Sequence, residues 1–180
     1  MRGTLLVLIA AGCAVGLSGC LTFREYDCEL RLRPEAKAWE MTTTWYDLQS
    51  DEETAEKQRQ DFEELIRVWK SDGYLLEGVH DGGYVKDRRL RIERGVLVGS
   101  ETRLVDRNSR LESFELGPAD TVRWKEPSLE VLSTNGTREI DGSGVTWGPG
   151  SGALRLRTRN RDFKPRSDFA RMFKTRPRNS

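Results

Sequence analysis

Histidine is almost missing from this chain: His80 is the sole one in 180 residues. That scarcity excludes a histidine-rich metal centre. It also leaves a hydrolytic charge relay with one candidate base, His80, beside Asp81 in Val79-His80-Asp81-Gly82-Gly83. Adjacent side chains rarely aim at each other, and no nucleophile-elbow glycine pattern accompanies the pair. A turn histidine is the plainer reading, and a small hydrolase built on His80 and Asp81 the weaker one. A P-loop and a paired-glycine dinucleotide fingerprint are both lacking, and Asp141-Gly142-Ser143-Gly144 has none of the further acidic ligands of a calcium loop. The expectation is a protein that is not an enzyme and uses no metal and no cofactor. Long hydrophobic runs are lacking too. The longest, near the start, spans about 13 residues, against the ~20 that a bilayer-spanning helix needs. Internal repeats are absent.

What is present begins with the first twenty residues. Met1-Arg2 is a short positive start, Leu5 to Val15 is apolar or small throughout, and small residues then lead to a cysteine. These are the three parts of a secretory signal. The stretch Leu17-Ser18-Gly19-Cys20 resembles the lipobox of bacterial lipoproteins. That resemblance covers residues 1–20 and implies nothing about the activity of the rest. It implies a signal peptide over 1–19 that is removed, and a diacylglyceryl group on the thiol of Cys20, often joined by an amino-terminal acyl chain. Two or three chains, at ~0.8 kcal/mol per buried methylene, anchor stably where one is marginal. The implied address is a bacterial cell membrane with the domain outside the cytoplasm. With Leu21 rather than aspartate after the cysteine, it is the outer membrane if the cell has one. Nucleic acid is not an expected partner, because that compartment holds little of it.

Cysteine is scarce, with three in the chain. Cys13 leaves with the signal and Cys20 carries lipid, so Cys28 has no intramolecular partner. It lies on the apolar side of the alternating stretch Tyr26 to Arg33, with Leu30 and Leu32, and reads as a small core hydrophobe.

Of the 160 residues after position 20, 58 are charged, a polar composition. The five tryptophans and four tyrosines argue against disorder. The length suits one domain. Alternation predicts strands over Tyr26–Arg33 and Ala38–Tyr46, with Pro34 to Lys37 as the turn. Ser50-Asp51-Glu52-Glu53 has the form of a capping box. The segment from about 51 to 70 lacks Gly and Pro and carries Phe62, Leu65, Ile66 and Trp69 at i, i+3, i+4 and i+7, which predicts one long amphipathic helix stopped at Ser71-Asp72-Gly73. Short strands follow, with Arg94-Gly95 as a tight turn and Asn135-Gly136 as a hairpin signal between Leu129–Ser133 and a return at Glu139-Ile140. A last strand carries Leu154 and Leu156. The expected fold class is α+β, a mainly antiparallel sheet of short strands and hairpins with that one helix. The expected organisation is a lipidated terminus and short tether over 20–25, one domain over 26–158, and a basic tail over 159–180, with a short amphipathic helix near 168–174.

Charge is unevenly spread. Residues 155–180 contain Arg155, Arg157, Arg159, Arg161, Lys164, Arg166, Arg171, Lys174, Arg176 and Arg178 against Asp162 and Asp168, a balance of +8. Residues 21–154 carry −8. The ten cations are therefore the candidate contact surface for anionic head groups, an anionic envelope polymer or an envelope protein. A tether of about five residues reaches ~17 Å at most, which keeps the domain near its membrane. The expected function is a non-enzymatic binding or structural role in the cell envelope. The alternative is a small-ligand or glycan-binding domain using Trp147, whose Gly148-Pro149-Gly150 flank reads as a loop that exposes the ring.

Overall fold

The computed structural model describes residues 21–33, 38–70, 83–106, 113–117, 121–140, 142 and 144–176. The chain is predominantly antiparallel sheet with two helices among these residues. Its elements are β1 (Leu21–Thr22), β2 (Glu25–Arg33), β3 (Ala38–Tyr46), β4 (Gln49–Ser50), α1 (Ala55–Lys70), β5 (Gly83–Glu93), β6 (Val96–Asp106), β7 (Phe114–Leu116), β8 (Val122–Lys125), β9 (Leu129–Thr134), β10 (Thr137–Arg138), β11 (Gly144–Trp147), β12 (Ala153–Asn160) and α2 (Phe169–Thr175).

The largest sheet has six strands in the order β5-β6-β3-β2-β12-β9, a second has β10-β11-β8-β7, and β1 pairs with β4. Register sorts the side chains of the large sheet. Tyr26 opposes Trp45, Cys28 opposes Thr43, Leu30 opposes Met41, and Leu32 opposes Trp39. Leu154 and Leu156 of β12 fall opposite Leu30 and Cys28. Residues directly opposite share a face, so these alternating positions make one apolar face. It merges with Phe114, Val122, Trp124, Val145 and Trp147 of the four-stranded sheet in a single core. The other face carries Glu25, Asp27, Glu29, Arg155 and Arg157, the solvated side that antiparallel sheets tolerate. Arg94 and Gly95 both sit at positive φ, 50° and 86°, the pair of left-handed residues that a two-residue hairpin turn requires between β5 and β6.

Two local expectations are corrected. Helix α1 starts at Ala55, not 51. Thr54 caps it, its Oγ1 accepting from the Lys57 amide at 3.3 Å. The Ser50 hydroxyl is committed elsewhere, donating to Asp61 at 2.5 Å and accepting from the Glu52 amide. Asn135-Gly136 is not a hairpin turn. β9 belongs to the large sheet and β10 to the small one, and neither residue has positive φ. The dipeptide is where the chain crosses between sheets. Any Cβ at Gly136 would lie 2.6 Å from Trp147 Nε1, so the crossing needs a residue without one.

Helix α1 packs its Phe62, Leu65 and Ile66 face into the core. Trp69 lies over Gly99 of β6, where a Cβ would meet its ring at 3.1 Å and Leu48 at 2.8 Å. Beneath the end of this helix, the apolar face of the large sheet contains a charge. Glu101 is 2% exposed and pairs with Arg88 and Arg103. Arg88 also donates to the Val68 carbonyl at 3.4 Å, in the last turn of α1, where a cation suits the helix dipole.

Candidate functional site

The edge from which position 20 leaves is built from four separate pieces of chain. Leu21 pairs with Ser50 and Thr22 with Gln49. The amide of Asn160 donates to the Arg24 carbonyl at 2.9 Å, and its side chain to Thr22 Oγ1 at 3.3 Å. Gln49 Oε1 accepts from the amides of Arg166 and Ser167 at 3.0 and 3.2 Å. The Ser50 amide donates to Ser167 Oγ at 2.9 Å. Ser50 is fully buried and Gln49 nearly so. The start of β1 is thus tied to α1 through Ser50 and Asp61, and to the segment before α2 through Ser167.

This arrangement corrects the expected tether. Residues 21–25 form no free leash: Thr22 and Phe23 are buried, β2 starts at Glu25, and β1 begins one residue after Cys20. The alternation that revealed β2 could not reveal β1, because a two-residue strand has no period to read. Cys20 itself lies outside the described residues.

The structure places the ten basic candidates in three settings. Arg155, Arg157 and Arg159 project from β12 on the polar face of the large sheet. Arg155 pairs with Glu29 at 2.9 Å, Arg157 with Glu25 at 2.7 Å and Asp27 at 3.5 Å, and Arg159 with Glu25 at 3.9 Å. Arg157 also lies 5.4 Å from the Tyr46 ring, and the hydrogen bonds it donates to Glu25 shift its own pKa further upward. Burial alone would raise the Glu29 pKa, but hydrogen bonds and charge from Arg31 and Arg155 outweigh it and hold the carboxyl below its ordinary range. Arg166 donates to the Asp51 carbonyl at 2.9 Å and reaches Glu53 at 3.4 Å, and Arg171 sits 3.8 Å from Asp168. Arg161, Lys164, Lys174 and Arg176 are exposed and carry no ion pair among the described residues. Arg178 lies outside those residues.

The segment from 159 to 176 therefore lies against the domain along much of its length. Asp168 caps α2 through the Arg171 amide at 2.8 Å. Phe169 is 1% exposed and meets Phe62 edge-on at 5.2 Å. Met172 and Phe173 pack partly against the same core. The aromatic face of this short helix is turned inward and is not displayed to a lipid surface.

The expectation of an exposed Trp147 does not hold. The ring is 1% exposed, in strand β11, against Phe114 at 6.4 Å. Its Nε1 donates to Asn135 Oδ1 at 2.9 Å, and the same oxygen accepts from the Arg155 amide at 2.8 Å. The glycine flank marks the end of a strand whose apolar positions face inward, which is why composition alone misreads it. His80 and Asp81 fall outside the described residues. Cys28 is buried, and desolvation pushes its thiol up to about 12, so the reactive thiolate is scarce at neutral pH.

Sequence reasoning missed the Gln49-Ser50-Asp61-Ser167 clasp and the Arg88-Glu101-Arg103 cluster. Strict alternation does put Glu101 in phase with Val105 and Leu97, and that parity is the one signal that could have found it. No described helix is long and apolar enough to cross a membrane. No family model matches the chain, and no curated protein or solved structure is similar to it.

Proposed function

We propose that this is a lipid-anchored protein of the bacterial cell envelope with a non-enzymatic binding role, held through Cys20 with its domain outside the cytoplasm, at the outer membrane if the cell has one. The lipobox-like Leu17-Ser18-Gly19-Cys20 supports the anchor. The observation that carries the reading is the position of β1. With Leu21 paired to Ser50, the residue that would bear the lipid lies one Cα step, ~3.8 Å, from an ordered strand. An acyl group there would fix the distance and the tilt of the domain, rather than leave it on a leash.

The binding role rests on charge. Most cations of residues 155–171 are matched by acids of the same domain, which leaves Arg161, Lys164, Lys174 and Arg176, among the described residues, for an outside partner. An anionic envelope polymer or an acidic protein surface fits them. The glycan-binding alternative through Trp147 loses support from the burial of that ring.

The test is metabolic labelling with palmitate in a bacterial host. The wild-type chain is expected to take up label and partition into detergent. Cys20→Ser is expected to do neither and to remain a folded soluble protein. Membrane-bound, labelled Cys20→Ser, or an unlabelled wild type free in the extracytoplasmic fluid, would overturn the reading.

A further inference from the structure

The two helices leave a groove between them. They run side by side in the same direction: Gln58 Nε2 of α1 donates to the Arg166 carbonyl at 3.1 Å, and Phe62 meets Phe169. Further along, Ile66 and Met172, then Lys70 and Arg176, line the opening. Its volume is about 660 Å³, within the ~300–1,000 Å³ range of sites for small molecules. Phe62, Ile66 and Met172 give it an apolar floor. The rim is cationic, with Arg59, Arg67, Lys70 and Arg176 against one lining acid, Glu63.

These cations differ in what neutralises them. Arg59 has Glu63 at 3.9 Å and Arg67 has Glu64 at 2.5 Å. The hydrogen bond from Arg67 holds the Glu64 carboxyl below its ordinary pKa range, so that pair stays ionised at neutral pH. Lys70 and Arg176 carry no ion pair among the described residues. The groove is therefore polarised: an apolar trough with compensated charge along its length and, at one end, two cations that have no ion pair among the described residues.

We infer that this groove binds a single-chain anionic lipid, its hydrocarbon on Phe62, Ile66 and Met172 and its carboxylate or phosphate between Lys70 and Arg176. A purely polyanionic partner would leave the apolar floor wet. A neutral lipid would bring no counter-charge to Lys70 and Arg176. A second copy of the chain, related by a two-fold axis, would bring each cationic rim onto its own image. One amphiphile with one negative end satisfies both the floor and the rim. The inference does not rest on the proposed anchor, and either can fail alone.

The test uses the full chain carrying Cys20→Ser, so that no attached acyl group competes. It is titrated with myristate below its micelle concentration, with neutral monomyristoylglycerol, and with inorganic phosphate. Saturable one-to-one binding of myristate is expected, with the neutral lipid at least about tenfold weaker, the loss of one charge-assisted contact, and phosphate weaker still. The double variant Lys70→Glu/Arg176→Glu should lose myristate by at least the same factor (both sites are exposed), with circular dichroism and melting unchanged. Lys70→Gln/Arg176→Gln should fall between. Equal affinity for neutral and anionic lipid, an unaffected double variant, or no saturable binding overturns the inference. So does binding only to intact anionic vesicles, or a dimer dissolved by the same charge reversal without bound lipid.

Discussion

Single residues in this chain are decided by which side of a strand they fall on. Trp147 and Cys28 both point inward, and each carries a polar atom into the core. Trp147 resolves this with a hydrogen bond to Asn135, the residue that links the two sheets. Replacing Trp147 with Phe should cost about 1 kcal/mol through the lost bond, and Trp147→Ala about 3–5 kcal/mol through the cavity. Denaturant melts of the two variants check the order. Cost-free removal of the ring would show that it is not packed in the core. Cys28 resolves its burial by staying protonated. With its folded pKa raised to about 12, the thiol contributes stability that is present below the unfolded value of ~8.5 and lost as pH rises through 12. At about pH 8 iodoacetamide should leave Cys28 unmodified in the native protein and alkylate it once denaturant is added. Peptide mass spectrometry reads the difference.

At the scale of elements, α2 is a seven-residue helix, too short to persist in water without help. Its stability comes from the Asp168 cap, the Ser167-Ser50 clasp and the burial of Phe169 against Phe62. Phe169→Ala should therefore cost about 3–5 kcal/mol and release the helix as a unit. Hydrogen exchange over 169–175 should accelerate well before the six-stranded sheet opens. Phe163→Ala is the control. Its half-buried ring makes one cation–π contact with Arg24 at 5.5 Å, worth ~0.5–1 kcal/mol, and its loss should leave α2 protected. The periodicity of 51–70 announced a helix. Its first residue did not follow from the sequence, because Ser50 and Thr54 are equally good caps on paper. Tertiary contacts take the Ser50 hydroxyl for Asp61, and Thr54 is left to cap.

Across the whole molecule, part of the −8/+8 division is closed by pairing strand to strand. β12 carries Arg155, Arg157 and Arg159 and lies beside β2, which carries Glu25, Asp27 and Glu29. The same device ties Arg33 and Lys86 to Glu40 at 2.6 and 3.2 Å, and the Arg33 hydrogen bond, aided by Lys86, outweighs burial and keeps Glu40 below its ordinary pKa. Both Glu29 and Glu40 have depressed folded values, so their contribution is present above the unfolded pKa of ~4.3 and lost as pH falls through the folded one. Glu29→Gln/Glu40→Gln should lower the melting temperature at neutral pH by a small amount, since partly exposed pairs contribute ~0.2–1 kcal/mol each. It should also flatten the decline between neutral and acid pH. An equal acid decline in wild type and double variant would show that these pairs do not matter.

The sequence by itself determined the alternation of β2 and β3, the Arg94-Gly95 turn and the apolar stripe of α1. Each is a local pattern, set by the two periods of the backbone and by residues that tolerate positive φ. Only the tertiary structure decided the rest. Asn135-Gly136 joins two sheets instead of closing a hairpin, because β9 finds its partner in β12. Arg155, Arg157, Arg159 and Arg166 meet acids more than a hundred positions away. A carboxylate lies among apolar neighbours because Arg88 and Arg103 converge on it. Pairings between distant segments leave no period in the chain, since what fixes them is the complementarity of two surfaces that exist only after folding.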